Sequence, residues 1–159
     1  GFSKMRFGED IDFSIRIYQG GYKCRLFPEA WVYHKRRTDF KKFYKQVFNF
    51  GIARINLYKI HPTSLKLVHT LPALFTIGTI SLLIASIFSP YFLLPLAFYA
   101  LVVGIDSAIK HKSISIGFYS ILAAFIQLLG YGRGFLKAVW KRCIKKEDEF
   151  SSFQKNFYK

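Results

Sequence analysis

The chain of 159 residues combines 52% hydrophobic residues with a formal net charge of +15. So much apolar surface excludes intrinsic disorder, because such a chain collapses in water. Only two cysteines, Cys24 and Cys143, are present, which excludes a disulfide-stapled secreted domain and any cysteine metal motif. High hydrophobicity together with high basicity is typical of proteins at an anionic membrane surface.

The first block of the chain, residues 1–66, is polar and carries a net charge of +9. Three carboxylates just after Gly8 predict the start of a helix that runs to about Gln19, because the helix dipole favours acids in the first turn. Gly20-Gly21 is a typical helix end. Residues 22–27 alternate like a half-buried strand, and residues 31–34 predict another short strand. This pattern indicates an α/β fold for residues 1–37.

Residues 38–66 predict an amphipathic helix followed by a linker. Its apolar face contains the residues Phe40, Phe43, Tyr44, Val47, Phe48 and Ile52. Three lysines lie elsewhere on the same helix. A basic amphipathic helix with aromatic residues, placed just before apolar segments, is typical of a membrane interface. The alternative is a helix that packs into the core of the same domain.

The middle of the chain, residues 67–132, is apolar and carries a net charge of only +1. It contains three candidate membrane helices, at about 67–89, 91–109 and 113–132, because about 20 apolar residues span a bilayer core. The third is expected to be the weakest span, since it contains glycines and Gln127. Buried helices of a soluble protein are the alternative, but a first block of this size could hardly cover three of them.

The tail, residues 133–159, is again basic and aromatic, with a net charge of +5. It predicts a second surface helix. Such segments also bind nucleic acid, but beside three membrane helices an anionic membrane lipid is the favoured partner and nucleic acid is not expected. The glycines of Gly130-Tyr131-Gly132-Arg133-Gly134 match no phosphate-binding loop.

One stretch near the N-terminus carries a specific order of residues. It reads Gly-Glu-Asp-x-Asp-x-Ser-x-Arg, then Gly-Gly-Tyr, then Phe-Pro-Glu-Ala-x-Val-Tyr-His. This order resembles the C-terminal half of the catalytic domain of family 2 glycosyltransferases, and the following helices resemble the membrane-bound bacterial members. The matching positions are Gly8 to Asp12, Ser14, Arg16, Gly20 to Tyr22, Phe27 to Ala30 and Val32 to His34.

The resemblance implies a GT-A fold, a nucleotide-sugar donor, a divalent metal and inversion at the anomeric carbon. It implies that Asp10 is the general base that takes a proton from the acceptor hydroxyl, with Glu9 and Asp12 as orienting or helix-capping residues. Some relatives use a downstream histidine as a metal ligand, and His34 occupies that place. Imidazole suits Mn²⁺ better than Mg²⁺. The alternative is that His34 is a structural histidine.

The sequence also departs from the family. Processive members carry Gln-x-x-Arg-Trp on the next helix, whereas this chain keeps Gln46 as a candidate acceptor-binding residue and lacks the Arg and the Trp. Arg54 is suited to a donor pyrophosphate, with a purely structural arginine as the alternative. The nucleotide-binding half, with its Asp-x-Asp metal motif, is expected upstream of Gly1. It would bind most of the metal, so this chain alone should be inactive.

The sequence therefore predicts an α/β fragment, the C-terminal part of a GT-A domain, followed by an α-helical membrane region. The expected function is inverting transfer of a sugar from a nucleotide-sugar donor to a lipid-linked or surface-glycan acceptor. The expected location is the inner membrane, with several spans and a cytoplasmic catalytic part, while the side of the tail stays open. The alternatives are an inactive membrane anchor or scaffold and a processive polysaccharide synthase.

Overall fold

The computed structural model describes residues 1–3, 5–34 and 39–149. Within these residues five α-helices form the fold, and short helical turns connect them. The helices are α1 (Glu9–Gln19), α2 (Phe40–Ile60), α3 (Leu71–Ala85), α4 (Leu94–His111) and α5 (Ile114–Ala138). The turns are 3₁₀ helices at Pro62–Ser64, Leu67–His69 and Pro90–Leu93, and a π-helical turn at Val139–Ile144 continues α5. Residues 150–159 of the predicted tail and residues 35–38 lie outside the described residues.

The prediction of an α/β fragment is wrong, because the fold is all-helical and none of the described residues belongs to a strand. The two predicted strands, residues 22–27 and 31–34, are irregular and exposed along their whole length. A strand needs the hydrogen bonds of a neighbouring strand, and the described part of the chain supplies no such neighbour for either segment.

Local sequence explains where the first two helices begin and end. Gly8 has φ +81° before α1 begins, and Gly21 has φ +78° just after it ends. The prediction of this helix is confirmed. The Asp39 carboxylate caps α2 by accepting a hydrogen bond from the backbone N–H of Lys42 at 2.9 Å. This bond, with the nearby lysines, holds the pKa of Asp39 below its usual value.

Helix α5 is the centre of the fold, and glycines bring other helices close to it. A Cβ added at Gly134 would lie 2.8 Å from the carbonyl carbon of Phe48 in α2. One added at Gly132 would lie 2.8 Å from the carbonyl carbon of Pro72 in α3. Real Cβ atoms do not approach other atoms so closely. The glycine run of α5 therefore packs α2 on one side and α3 on another.

The apolar face of α2 forms the core with the second half of α5. Val47, Phe48 and Ile52, all from the predicted apolar face, are buried. The contacts advance together along both helices, from Phe40 beside Tyr119 to Asn56 beside Arg142. These contacts show that α2 and α5 run in the same direction and share one apolar interface.

Helices α4 and α5 form a hairpin that turns at residues 112 and 113. Ser107 and Ser120 share a hydrogen bond of 2.6 Å across it, and Gly117 lies against the Gly104 backbone. Lys110 pairs with Asp106 at 2.9 Å, four residues away on the exposed side, as the spacing predicts. The outer faces of α3, α4 and the first turns of α5 expose many large apolar side chains.

Two helical segments are long and apolar enough to cross a membrane by length and composition: residues 90–111 and residues 114–144. This is weak evidence for a membrane protein. Helix α3 has only 15 residues, about 22 Å of rise, which is less than the roughly 30 Å of a bilayer core. The third predicted span, expected to be the weakest, lies in one of these two segments, and its glycines serve as packing contacts.

Candidate functional site

A cavity of about 250 Å³ lies where α1, α2 and α5 meet. Two residues predicted to act in chemistry, Asp10 of α1 and Arg54 of α2, both line this cavity. The rest of its lining is formed by Gly8, Ile11, Phe50, Ala53, Leu57 and Tyr131. Asp10, Arg54 and Tyr131 thus line one cavity whose other lining residues are apolar.

Asp10 stands in the first turn of α1, with its side chain exposed at the cavity. The main chain there is fixed, because the Ser14 hydroxyl donates a hydrogen bond of 2.9 Å to the Asp10 carbonyl oxygen. Gly8 faces the Ala53 methyl group of α2, and a Cβ added at Gly8 would lie 3.8 Å from it, an ordinary contact. An exposed carboxylate in this position can accept a proton from a bound hydroxyl group.

Asp12, two residues further along α1, lies on the opposite side of the helix and is buried. Its carboxylate contacts His61 Nε2 at 2.7 Å and accepts a hydrogen bond from Arg16 Nε at 3.0 Å. Burial alone would raise the pKa of Asp12, but the hydrogen bonds from His61 and Arg16 outweigh it and lower the pKa. Asp12 thus fixes α1 to the end of α2, and so orients Asp10.

Arg54 lies half-buried on α2, beside Tyr131 of α5 and near His69. Burial and the positive charges of Arg54 and Lys66 lower the pKa of His69, so this imidazole is neutral near pH 7. His69 Nδ1 accepts a hydrogen bond from the Lys66 backbone N–H at 3.0 Å. Arg54 is the cationic side chain in the lining of the cavity, and its planar guanidinium suits phosphate oxygens.

The other predicted site residues lie elsewhere. The lining of the cavity does not include Glu9, His34 or Gln46. His34 is exposed in the irregular segment that follows α1, and Gln46 is half-buried on α2. Glu9 is exposed at the start of α1. Glu9 is thus the neighbour of Asp10 in α1 but does not line the cavity, and neither do His34 and Gln46.

Among the described residues, no group of three or more His, Cys, Asp or Glu side chains could hold a metal ion. A metal ion needs several such ligands at once, so His34 alone does not form a metal site. The metal implied by the resemblance would depend on ligands outside the described residues.

Two site residues were missed by the sequence analysis. In the sequence, Tyr131 stands out only as part of a glycine run. Its place in the cavity depends on the packing of α2 against α5. His61 could have been noticed as the residue before Pro62, where α2 must end. Its pairing with Asp12, 49 residues away, follows from the tertiary fold and has no local signal.

No protein-family model matches the chain, and comparison with curated proteins and with solved structures finds no match. The resemblance to family 2 glycosyltransferases thus stays a prediction.

Proposed function

We propose that this chain is part of a membrane-bound glycosyltransferase of family 2, which moves a sugar from a nucleotide donor to a lipid-linked or surface-glycan acceptor with inversion. The observation that supports the proposal is that Asp10 and Arg54, both predicted from the sequence to act in transfer, line the same cavity. The α/β architecture is not part of the proposal, since the described fold is helical.

In this proposal Asp10 is the general base. It removes a proton from the acceptor hydroxyl as the oxygen attacks the anomeric carbon, and the nucleotide leaves from the opposite face of the sugar. The oxygen–carbon bond forms while the bond to the leaving phosphate breaks, and the proton ends on the Asp10 carboxylate. A positioned base of this kind contributes about 10²- to 10⁴-fold in rate. Asp12 and His61 act as positioning residues through α1.

Arg54 would bind a phosphate, either of the donor or of a lipid-linked acceptor. The apolar lining from Phe50 and Leu57 is suited to the non-polar part of the bound molecule, and the Tyr131 hydroxyl adds one polar group. Donor binding would depend mainly on residues and metal ligands outside this chain.

The inner membrane is the proposed location, with the cavity on the cytoplasmic side where nucleotide sugars are available. The α4–α5 hairpin would cross the membrane. Arg142 Nε donates to Asn56 Oδ1 at 2.7 Å, so the start of the basic tail lies beside the end of α2. A hairpin of two spans would then leave the end of α2 and the start of the basic tail together on the cytoplasmic side, as the positive-inside rule favours.

An inactive membrane anchor is the second candidate. The observation that favours it is that His34 and Gln46 lie away from the cavity and that the described residues form no metal site. An anchor would keep the α2–α5 packing and make no use of the Asp10 carboxylate. The two candidates therefore differ in what happens when that carboxylate is removed.

The test uses the natural protein that contains this chain, in membranes supplied with a panel of radiolabelled nucleotide sugars. Incorporation into the lipid or glycan fraction is expected for the wild type and for Glu29→Gln, which changes an exposed carboxylate outside the cavity. Asp10→Asn should lose at least 10²-fold in rate while donor binding is kept. Failure of the wild type with every donor, or near-normal transfer by Asp10→Asn, would reject the proposal and favour the anchor.

A further inference from the structure

A second feature of the fold lies on the outer side of the α2–α5 contact, away from the cavity. Two aromatic rings of α2, Tyr44 and Phe48, stack at 6.0 Å. Two cations of α5 stand over them: the Arg133 guanidinium is 5.9 Å from the Tyr44 ring centre, and Lys137 Nζ is 5.3 Å from the Phe48 ring centre. We call these four residues the basic–aromatic seam.

The geometry of the seam is fixed by the backbone. Gly134 lets α5 approach the Phe48 backbone more closely than any residue with a Cβ would allow, and a Cβ at Gly130 would lie 3.2 Å from the Tyr44 ring. Arg133 and Lys137 are four residues apart, so both project from the same side of α5. The two charges are therefore held as a preformed pair.

In the described part of the chain, no acidic side chain forms an ion pair with the cations of the seam, Arg133 and Lys137. A ring face attracts a cation but leaves its full charge, so an anion can still bind from the open side.

The place of the seam along α5 suits a membrane surface. Residues 113–132 carry no charged side chain, and 20 helical residues rise about 30 Å, the thickness of the hydrocarbon core. Arg133 is the next residue after this stretch. If α5 crosses a bilayer, the seam lies at the depth of the lipid headgroups, and the neighbouring apolar faces of α3 and α4 meet the lipid tails.

We propose that the basic–aromatic seam binds the phosphate of an anionic phospholipid. Arg133 would hold the phosphate oxygens through two N–H groups and Lys137 through its ammonium group, while the acyl chains lie along the exposed apolar surface. Electrostatic attraction to anionic lipid together with burial of apolar surface is the usual basis of interfacial binding. This site does not depend on the proposed transferase activity.

The experiment titrates short-chain phosphatidylglycerol into the natural protein in a neutral detergent and measures the dissociation constant by calorimetry. Arg133→Gln combined with Lys137→Gln should weaken binding about 5- to 30-fold, since each basic residue near an anionic headgroup contributes about fivefold. The matched control, Lys110→Gln combined with Lys112→Gln, removes the same charge at the α4–α5 turn and should change binding less than twofold.

A second variant keeps both cations and removes one ring. If the ring helps to hold the two cations in place, Tyr44→Leu should weaken binding about two- to fivefold. Binding by net charge alone would be unchanged in this variant. Equal losses in the seam and control variants, or no loss in either, would overturn the proposal. Displacement of the lipid by equimolar inorganic phosphate would also overturn it, because the site would then be one for free anions.

Discussion

Substituting Gly134 by alanine puts the α2–α5 contact to a direct test. The added Cβ would lie 2.8 Å from the carbonyl carbon of Phe48, against 3.4 Å for an ordinary contact, and closer still to the carbonyl oxygen. These are backbone atoms of a buried helix, so no side chain can turn away to make room. The two helices must move apart along their apolar interface.

The expected cost follows from two opposing effects. Overpacking a well-packed contact costs about 1–3 kcal/mol, and a clash with backbone belongs at the upper end of that range. Alanine gains about 1 kcal/mol over glycine in a helix. Gly134→Ala should therefore destabilise the protein by about 1–2 kcal/mol.

The matched control is Gly78→Ala in α3, where nothing lies within 4 Å of the added Cβ. That variant should be neutral or more stable by up to about 1 kcal/mol. Thermal unfolding in neutral detergent, followed by circular dichroism, measures both, and the two melting temperatures should differ by about 5–10 °C. Equal melting temperatures would refute the close packing of α2 on α5.

Three further predictions concern the contacts of Asp12, the contact between Asn56 and Arg142, and the two cysteines. Asp12→Ala should cost about 1–3 kcal/mol, because it leaves buried partners without their acceptor. Since the pKa of Asp12 is lowered in the fold, its contribution is complete above the ordinary value of 3.8 and is lost as the pH falls through the lower folded value. Acid unfolding curves of the wild type and Asp12→Asn should thus converge at low pH, and a constant difference would contradict this. Asn56→Ala should release Arg142 and speed tryptic cleavage after that residue, measured by mass spectrometry, and unchanged cleavage would show that Asn56 does not hold the tail. Cys24 and Cys143, both exposed, should react with an impermeant thiol reagent only after the cells are opened, and labelling of either in intact cells would contradict the two-span hairpin.

Local signals in the sequence were enough to place the first two helices. Carboxylates after Gly8 and glycines after Gln19 mark α1, and its observed bounds agree with the prediction. The apolar period from Phe40 to Ile52 predicts the face of α2 that is buried. These signals work because capping and periodicity act within one or two turns.

The prediction of two strands is wrong for a physical reason. Alternation in residues 22–27 shows only that a segment is compatible with a sheet, and pairing depends on a neighbouring strand. The packing role of the glycines in α5 was not predicted, for a related reason. A glycine weakens an isolated helix, but Gly132 and Gly134 allow backbone contacts with α3 and α2, which local propensity does not describe.

The candidate site was predictable only in part. Asp10 and Arg54 were identified by residue type and by resemblance, and the fold places both at one cavity. His34 and Gln46 were identified in the same way and lie elsewhere, since residue order alone does not determine tertiary distance. Tyr131 depends on the packing of α2 against α5 and has no local signal.

The claim that Asp10 and Arg54 act in one site is tested most directly by a double-mutant cycle on sugar transfer. The transfer rates of Asp10→Asn, Arg54→Gln and the combined variant are measured in the natural protein that contains this chain. Residues that act in one site give non-additive losses, so the combined variant should be little slower than Asp10→Asn alone. A combined loss equal to the product of the two single losses would contradict the shared site.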